Sequence, residues 1–200
     1  MTRVNNAYER ARLKKIARIA SSGSVLDIGY AQLPNPYFAD VETVGLDLEK
    51  PPEPSGYTEE IQGSALDLPA ALGERRFDWI VAAEFIEHVR SPYDFLDSLH
   101  PFLRENGQVV LSTPNPVAWP TLIFEWLGST RHFYTEDHLY YFAPRWVRRM
   151  LDFAGFETTD VRGVGLWAPG IVLPCPVFLS YQVIYVARQK PATTGSAQSG

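Results

Sequence analysis

The sequence has little of several features, and each scarcity narrows the kind of protein that it can encode. Among 200 residues there is one cysteine, Cys175. An internal disulfide framework and a cysteine-based zinc site are therefore excluded, and we expect a reducing compartment, the cytoplasm. Basic residues are not in excess: 18 lysines and arginines stand against 23 acidic residues, which gives a net charge of −5 and disfavours nonspecific nucleic-acid binding. No apolar run follows the basic N-terminal residues, so we expect no secretory signal.

Long hydrophobic runs are scarce too, with one exception near the C-terminus. Residues 163–187 carry no charge, and this run is long enough to span a bilayer. The prolines within it oppose a membrane helix. We therefore predict no membrane span but an apolar loop at 163–180, followed by a last strand at 181–187. Residues 167–179 of this loop are expected to project as a flap beside a substrate, or to make peripheral contact with a membrane surface.

Apolar periodicity divides the remaining chain into alternating strands and helices. One amphipathic helix is predicted over about residues 5–20, and two more are predicted to begin at Pro92 and Pro144. On the last helix, Trp146, Val147, Met150 and Leu151 are expected to face inward. Strands are predicted at 24–28, 42–47, 57–63, 77–83, 108–112, 156–162 and 181–187.

This alternation predicts an α/β fold: a doubly wound, mostly parallel, seven-stranded Rossmann-like sheet with helices on both faces. We expect residues 1–190 to form a single domain and the polar residues 191–200 to form a disordered tail. Ligands of such folds bind at the carboxyl ends of the strands. Gly29 and Asp47 each fall at such an end, and an acid there can accept two hydrogen bonds from a ribose diol. Two further features, the segments 63–69 and 84–88, follow the third and fourth strands.

Short motifs at these strand ends occur in a recognisable order. Residues 25–29 read VLDIG, 45–47 GLD, 63–69 GSALDLP, 77–89 FDWIVAAEFIEHV and 107–115 GQVVLSTPN, followed by His138, Phe142 and AGF at 154–156. In this order they resemble class I S-adenosylmethionine-dependent methyltransferases, in the group related to the ubiquinone-pathway O-methyltransferases. The resemblance covers about residues 20–162 and implies S-adenosylmethionine as the cofactor. The residues that it assigns to cofactor binding are Asp27, Gly29, Tyr30, Asp47, Ser64, Ala65, Asp67 and Glu84.

The loop after the first strand departs from the family pattern. Only Gly29 remains of the usual Gly-x-Gly-x-Gly, and Tyr30 follows where a small residue is commoner. Ser64 replaces the usual aspartate, and the proline-rich stretch at 51–54 predicts that the usual helix after the second strand is missing. Two interpretations stay open, an active methyltransferase and a degenerate methyltransferase-like binding module.

A second and narrower resemblance concerns Glu84, Glu87, His88 and His138. Their pattern is similar to the metal site of small-RNA 2′-O-methyltransferases, and a mixed carboxylate and imidazole set suits Mg²⁺, Mn²⁺ or Zn²⁺. The resemblance makes His138 and His88 the candidate catalytic residues. The alternatives are a metal-free general base at His138 and a purely structural His138.

The remaining features bear on the methyl acceptor. The aromatic-rich segment 114–141 is placed over the acceptor pocket by the resemblance, although it could equally form a satellite core. We expect O-methylation of a small molecule or a glycan; the RNA-type metal pattern keeps RNA in view, but the acidic charge opposes it. His100 and His132 are expected to be surface or packing residues. The basic run Arg145, Arg148 and Arg149 is expected to form a solvated helix face.

Overall fold

A computed structural model describes residues 6–38, 40–127, 138–168 and 171–191 of the chain. The strands are β1 (Ser24–Ile28), β2 (Glu42–Asp47), β3 (Glu59–Gln62), β4 (Phe77–Ala83), β5 (Leu103–Pro114), β6 (Phe156–Gly163), β7 (Leu166–Ala168), β8 (Ile171–Leu173) and β9 (Gln182–Gln189). The α-helices are α1 (Ala7–Ile19), α2 (Leu68–Leu72), α3 (Pro92–Ser98), α4 (Trp119–Trp126) and α5 (Pro144–Phe153).

Seven of these strands form one sheet in the order β3-β2-β1-β4-β5-β9-β6. The first five are parallel, and β9 runs antiparallel between β5 and β6. The predicted doubly wound α/β sheet is therefore confirmed. Strand order reverses at β1, which lies between β2 and β4, and this reversal places the carboxyl ends of the three strands around one crevice.

Apolar side chains cover both faces of the sheet. One core cluster joins the inner sides of α2, α3 and α5 to the sheet, and a second joins α1 to the opposite face. All five residues of β1 are buried, as expected for a central parallel strand, and they include the polar Ser24 and Asp27. The two core clusters pack against the sheet from both sides and position the strand ends, where the candidate site residues lie.

Two strands differ clearly from their predicted ranges, while the strands predicted at 156–162 and 181–187 differ by one or two residues at their ends. The third strand begins at Glu59 rather than at residue 57, because the Tyr57 hydroxyl turns toward β1 and donates to Asp27. The fifth strand already begins at Leu103. Asn106 and Gly107 lie inside this longer strand, where Asn106 has a φ of 65° and the register with β4 shifts. Among the described residues 48–58 there is no helix, as the prolines predict.

Helix α5 and the uncharged run also depart from prediction. Val147, Met150 and Leu151 are buried as expected, but the expectation that Trp146 faces inward is wrong, since its side chain is 51% exposed. Part of the predicted loop at 163–180 is a hairpin, in which β7 pairs with β8. Within the described ranges, none of the helices combines the length and the apolar character that crossing a bilayer demands. The predictions for His132, for much of the segment 114–141 and for residues 192–200 fall on parts of the chain outside the described residues.

Candidate functional site

Gly29 forms a ridge at the carboxyl end of β1, and a cavity opens on each side of it. Its φ is 74°, in the left-handed region that glycine tolerates. A Cβ on Gly29 would lie 2.6 Å from Cδ2 of Phe85, so a side chain here would collide with an aromatic ring. The one glycine that the loop keeps is therefore the one that the backbone path requires.

In the glycine-poor loop after Gly29, the side chain of Tyr30 packs onto the sheet. Its side chain is buried, and a Cβ on Gly45 would meet the Tyr30 ring at 2.6 Å. Burial, reinforced by the charges of Glu60 and Asp47, raises the pKa of Tyr30 to about 12. Gly45 on β2 thus leaves the space that the Tyr30 ring occupies.

The cavity on the β2 side of Gly29, here called the β2-side cavity, has a volume of about 360 Å³. It is lined by residues that include Leu46, Asp47, Leu48, Ser64, Ala65, Leu66, Phe85 and His88. Asp47 accepts a hydrogen bond from Ala31 N at 2.9 Å and another from Glu49 N at 3.2 Å. A carboxylate has about four acceptor positions, so both oxygens keep capacity for a ligand. Leu48 and Leu66 are each 68% exposed and offer apolar surface at the mouth.

Asp67, predicted as a cofactor contact, is used differently. Its carboxylate accepts from Ala70 N at 3.3 Å and caps α2, and Asp67 does not line the β2-side cavity. Ser64 does line the cavity, and its hydroxyl accepts from Leu66 N at 3.1 Å. The described geometry therefore brings Ser64 and Ala65 to Asp47 but leaves Asp67 at the helix end.

The second cavity, here called the α1-side cavity, has a volume of about 350 Å³ and contains charged groups at its base. Asp27 is 6% exposed and accepts a 2.6 Å hydrogen bond from the Tyr57 hydroxyl. Burial raises the pKa of Asp27 to about 7, although the Tyr57 hydrogen bond and the Arg12 charge act in the opposite direction. A cationic group of a ligand in this cavity would lower the pKa of Asp27 again.

Glu84 lies at the carboxyl end of β4 and joins three elements. It has a φ of 51°, unusual for a residue with a side chain, and its amide donates to Ser112 O at 2.8 Å. The Ser112 hydroxyl donates to Glu84 Oε1 at 2.9 Å, and Gln182 Nε2 donates to Oε2 at 2.7 Å. Arg12 Nη1 of α1 lies 3.4 Å from Oε1. This network fixes α1 over the cavity.

Arg12 itself is 6% exposed, and its Nε has no hydrogen-bond partner among the described residues. A buried guanidinium with an unused donor beside a cavity is suited to bind an anionic group. Sequence reasoning did not select Arg12. A signal was available, because Arg12 lies on the same helical face as Tyr8 and Ile16, which are both buried.

Glu87, His88 and His138 meet just beyond β4. One potential ligand atom from each lies within 4.8 Å of the others. The rings of His88 and His138 are edge to face with centroids 4.7 Å apart, and the Glu87 carbonyl accepts from Leu139 N at 2.9 Å, which holds the segment after His138 in place. Glu84, predicted as a fourth ligand, is not part of this cluster, because Arg12, Ser112 and Gln182 hold its carboxylate.

The Glu87 carboxylate is the unusual member of the cluster. It is 1% exposed, and neither oxygen has a hydrogen-bond partner within the described part of the chain. Burial, with the nearby charge of Glu84, raises the pKa of Glu87 to about 9. Such a group needs a proton or a cation to offset its desolvation.

Two buried hydroxyls continue the polar surface beneath the cluster. Thr113 on β5 and Tyr185 on β9 are almost fully buried, and their two hydroxyls interact with each other. Burial and the charges of Glu84 and Glu87 raise the pKa of Tyr185 well above its ordinary value. The carboxyl ends of β4 and β5 thus provide the polar part of the site.

Exposed apolar side chains are concentrated on α4, on the turn at 177–179 against which α4 packs, and on the β7–β8 hairpin; together they are here called the apolar face. Its exposed side chains are those of Val117, Trp119, Leu122, Ile123, Trp126, Leu127, Trp167, Ile171, Leu173 and Phe178. Clusters of exposed apolar side chains on this scale mark interaction surfaces.

The comparisons with known proteins bear on the family and the fold. A family model described as "Methyltransferase domain" matches residues 3–161. The ubiquinone biosynthesis O-methyltransferase of Pseudomonas aeruginosa is 27% identical over 176 residues, which are 81% of this chain and 73% of that protein. The chain spans only about half the length of other curated relatives of the same name. For example, the match to the protein of Cereibacter sphaeroides is 28% identical over 116 residues, which are 47% of that protein.

Two solved structures share the fold. A possible histamine N-methyltransferase from Thermotoga maritima aligns with a TM-score of 0.68 and 18% identity, covering 92% of this chain and 90% of that one. The 1,6-didemethyltoxoflavin-N1-methyltransferase of Burkholderia thailandensis, solved with S-adenosylhomocysteine, aligns with a TM-score of 0.65 and 18% identity over 94% of this chain and 80% of that one.

Proposed function

Because the chain belongs to the methyltransferase-domain family and is a class I S-adenosylmethionine-dependent methyltransferase, we propose that it methylates a hydroxyl oxygen of a small-molecule or glycan acceptor. The observation that carries the proposal is the pair of cavities on either side of Gly29, one containing Asp47 and the other containing Arg12, Asp27 and Glu84. The name of the curated relatives, which are O-methyltransferases, supports the choice of oxygen.

The residues around the two cavities fit the two ends of S-adenosylmethionine. In the β2-side cavity, the free acceptor capacity of Asp47 suits the ribose hydroxyls, and the backbone and hydroxyl of Ser64 suit the adenine between Leu48 and Leu66. In the α1-side cavity, the unused Arg12 donor suits the methionine carboxylate, and Asp27 suits the ammonium group. The left-handed turn at Gly29 lets the backbone pass closely between the two parts.

When bound, S-adenosylmethionine supplies a methyl group on a sulfonium, which an acceptor oxygen displaces in line as the carbon–sulfur bond breaks and the carbon–oxygen bond forms. The protein's main contribution is to hold the acceptor oxygen close to that methyl and aligned with it. The hydroxyl proton must leave, and either His88, which lines the β2-side cavity, or His138, whose ring packs against that of His88, can accept it.

The test of this function is transfer of labelled methyl groups from S-adenosylmethionine to pooled phenols, catechols and glycans, with product linkage read by mass spectrometry. Methyl ether formation supports O-methylation, and label found only on nitrogen or carbon rejects it. A protein that binds S-adenosylmethionine but labels no pool would match the alternative, a methyltransferase-like binding module. We place the chain in the cytoplasm, as its one cysteine suits, and treat residues 1–190 as one methyltransferase domain.

A metal ion at Glu87, His88 and His138 is the second proposal for this site. It is favoured by the buried Glu87 carboxylate, whose desolvation a cation would offset, and by two imidazoles within 4.8 Å. A bound Mg²⁺, Mn²⁺ or Zn²⁺ would lower the pKa of an acceptor hydroxyl.

Metal removal gives the corresponding prediction. Dialysis against a chelator should abolish methyl transfer, and one of the three metals should restore it. S-adenosylmethionine affinity should change far less than activity, because Asp47 and Arg12 lie outside the cluster and only its member His88 lines the β2-side cavity. The measurement is activity beside calorimetric affinity, with elemental analysis of the purified protein. Full activity in chelator with no metal detected would assign the proton transfer to histidine alone.

The apolar face supports peripheral contact with a membrane, from which an apolar acceptor could reach the site. Exposed tryptophans suit the interface between lipid and water, and residues 163–187 carry no charge that would oppose burial there.

Vesicle binding tests this contact. Trp126 and Trp167 are 88% and 59% exposed, so Trp126→Asp/Trp167→Asp should lower co-sedimentation with phosphatidylcholine/phosphatidylglycerol vesicles at least fivefold. Trp146→Asp, which changes an exposed tryptophan of α5, is the matched control and should bind as the unmodified chain does. Equal co-sedimentation of all three proteins, or none for the unmodified chain, would contradict membrane contact.

A further inference from the structure

A groove of about 680 Å³ lies between α5 and β6, on the outer edge of the sheet. Its lining residues are Arg145, Trp146, Arg148, Arg149, Asp152, Glu157 and Thr158. Four strand positions separate β6 from β1, about 19 Å at the usual spacing between strands. The groove is therefore distinct from the cavities beside Gly29.

The groove carries an excess of positive charge. Arg145, Arg148 and Arg149 are exposed, and none of them forms an ion pair with a carboxylate of the described residues. The two acids of the groove are already paired with other basic residues: Asp152 with Lys190 at 2.7 Å, and Glu157 with Arg188 at 2.8 Å. Three guanidinium groups thus remain without an ion-pair partner among the described residues, although the Asp152 carboxylate is near enough to interact with Arg149, on a protein whose net charge is −5.

Aromatic rings hold two of these guanidinium groups in place. Cζ of Arg145 lies 5.6 Å from the ring centroid of Trp146, and Cζ of Arg149 lies 5.1 Å from that of Phe153. Both rings are more than half exposed. A cation stacked on a ring loses less side-chain freedom when it binds an anion, and exposed aromatic and arginine side chains are typical of interfaces.

The neighbouring strand has an unpaired edge. Within the described residues β6 pairs only with β9, so its other side presents backbone donors and acceptors. An extended peptide beside β6 would have alternate side chains about 6.6–6.8 Å apart on one face. Arg145 and Arg149 are separated by four residues of α5, a rise of about 6 Å, so acids at alternate peptide positions match their spacing.

From these observations we propose that the groove between α5 and β6 binds an extended acidic segment of a partner protein. The segment adds to the free edge of β6 and places carboxylates on Arg145 and Arg149. Nucleic acid fits less well, because a long polyanion meets only these three guanidinium groups here and a net negative protein beyond them. The proposal is independent of the methyl acceptor and does not rest on the proposed function.

The experiment uses the full chain and a fluorescent peptide in which three glutamates alternate with valines. Fluorescence anisotropy should give a dissociation constant in the micromolar range that weakens with salt. Arg145→Glu/Arg149→Glu should weaken binding at least tenfold. The charge-matched control, Arg18→Glu/Arg76→Glu, changes two exposed arginines of other elements and should leave the constant within twofold.

Two further probes decide the occupant. A peptide of the same composition with its glutamates contiguous should bind at least fivefold more weakly, and a ten-residue oligouridylate at least tenfold more weakly. Circular dichroism and thermal unfolding establish that both double variants fold. Absence of binding at millimolar peptide, equal loss in both double variants, equal binding of the contiguous peptide, or tighter binding of the oligouridylate would each overturn the proposal.

Discussion

Asp47→Ala is expected to weaken S-adenosylmethionine binding about 10- to 100-fold, since hydrogen bonds to a charged group contribute about 1.5–3 kcal/mol. The carboxylate is proposed to accept from both ribose hydroxyls. It also accepts from Ala31 N and Glu49 N, so its loss releases the loop after β1 and the residues after β2 at once. Calorimetric titration of the variant beside the unmodified chain measures the change.

Two control variants separate ligand binding from loop support. Asp47→Asn keeps one acceptor oxygen without charge and should fall between the unmodified chain and Asp47→Ala. Asp67→Ala removes an acid that caps α2 outside the cavity, so it should lower stability by about 0.5–2 kcal/mol yet leave the dissociation constant unchanged. An unchanged dissociation constant in Asp47→Ala, or a larger loss of S-adenosylmethionine affinity in Asp67→Ala, would show that Asp47 does not bind the ribose.

Gly29→Ala is expected to be the most destabilising single substitution in the crevice. An alanine with a φ of 74° costs about 1–2 kcal/mol, and the new methyl would sit 2.6 Å from the Phe85 ring, an overpacking that costs about 1–3 kcal/mol more. The free energy of unfolding should thus fall by about 2–5 kcal/mol. Chemical denaturation followed by circular dichroism gives this value directly.

Gly56 provides a matched control for the backbone contribution. Its φ is 83°, but no atom lies within 4 Å of the position that a Cβ would take there, so Gly56→Ala should show the conformational cost alone. Gly29→Ala should also cost less in a Phe85→Leu background, because the shorter side chain relieves the contact. Equal destabilisation of Gly29→Ala and Gly56→Ala would show that Phe85 does not constrain the turn.

The site residues that directly follow a strand could be predicted, because a strand and its end can be recognised from the neighbouring residues in the sequence. Gly29, Asp47 and Glu84 each come directly after or at the end of a strand, so predicting the strands also placed these residues at one edge of the sheet. Their meeting at one crevice then follows from strand order, and the comparisons confirm the fold and the family.

Other residues of the site could not be predicted, because they come from elements that meet only after folding. Gln182 reaches Glu84 across 98 residues of sequence, and the Tyr57 hydroxyl reaches Asp27 across 30. The error at Trp146 has a different origin: the apolar positions of α5 do not reveal which side of a broad apolar stripe faces the sheet. The packing of β6 and α3 against α5, not its periodicity, sets that orientation.

Calorimetric titration of S-adenosylmethionine into the full chain tests the central claim, that the two cavities beside Gly29 form one cofactor site. We expect one molecule bound per chain, with affinity lost in Arg12→Met of the α1-side cavity and in Asp47→Ala of the β2-side cavity alike. Absence of binding to the folded, unmodified chain would contradict this claim, as would loss of affinity in only one of the two variants.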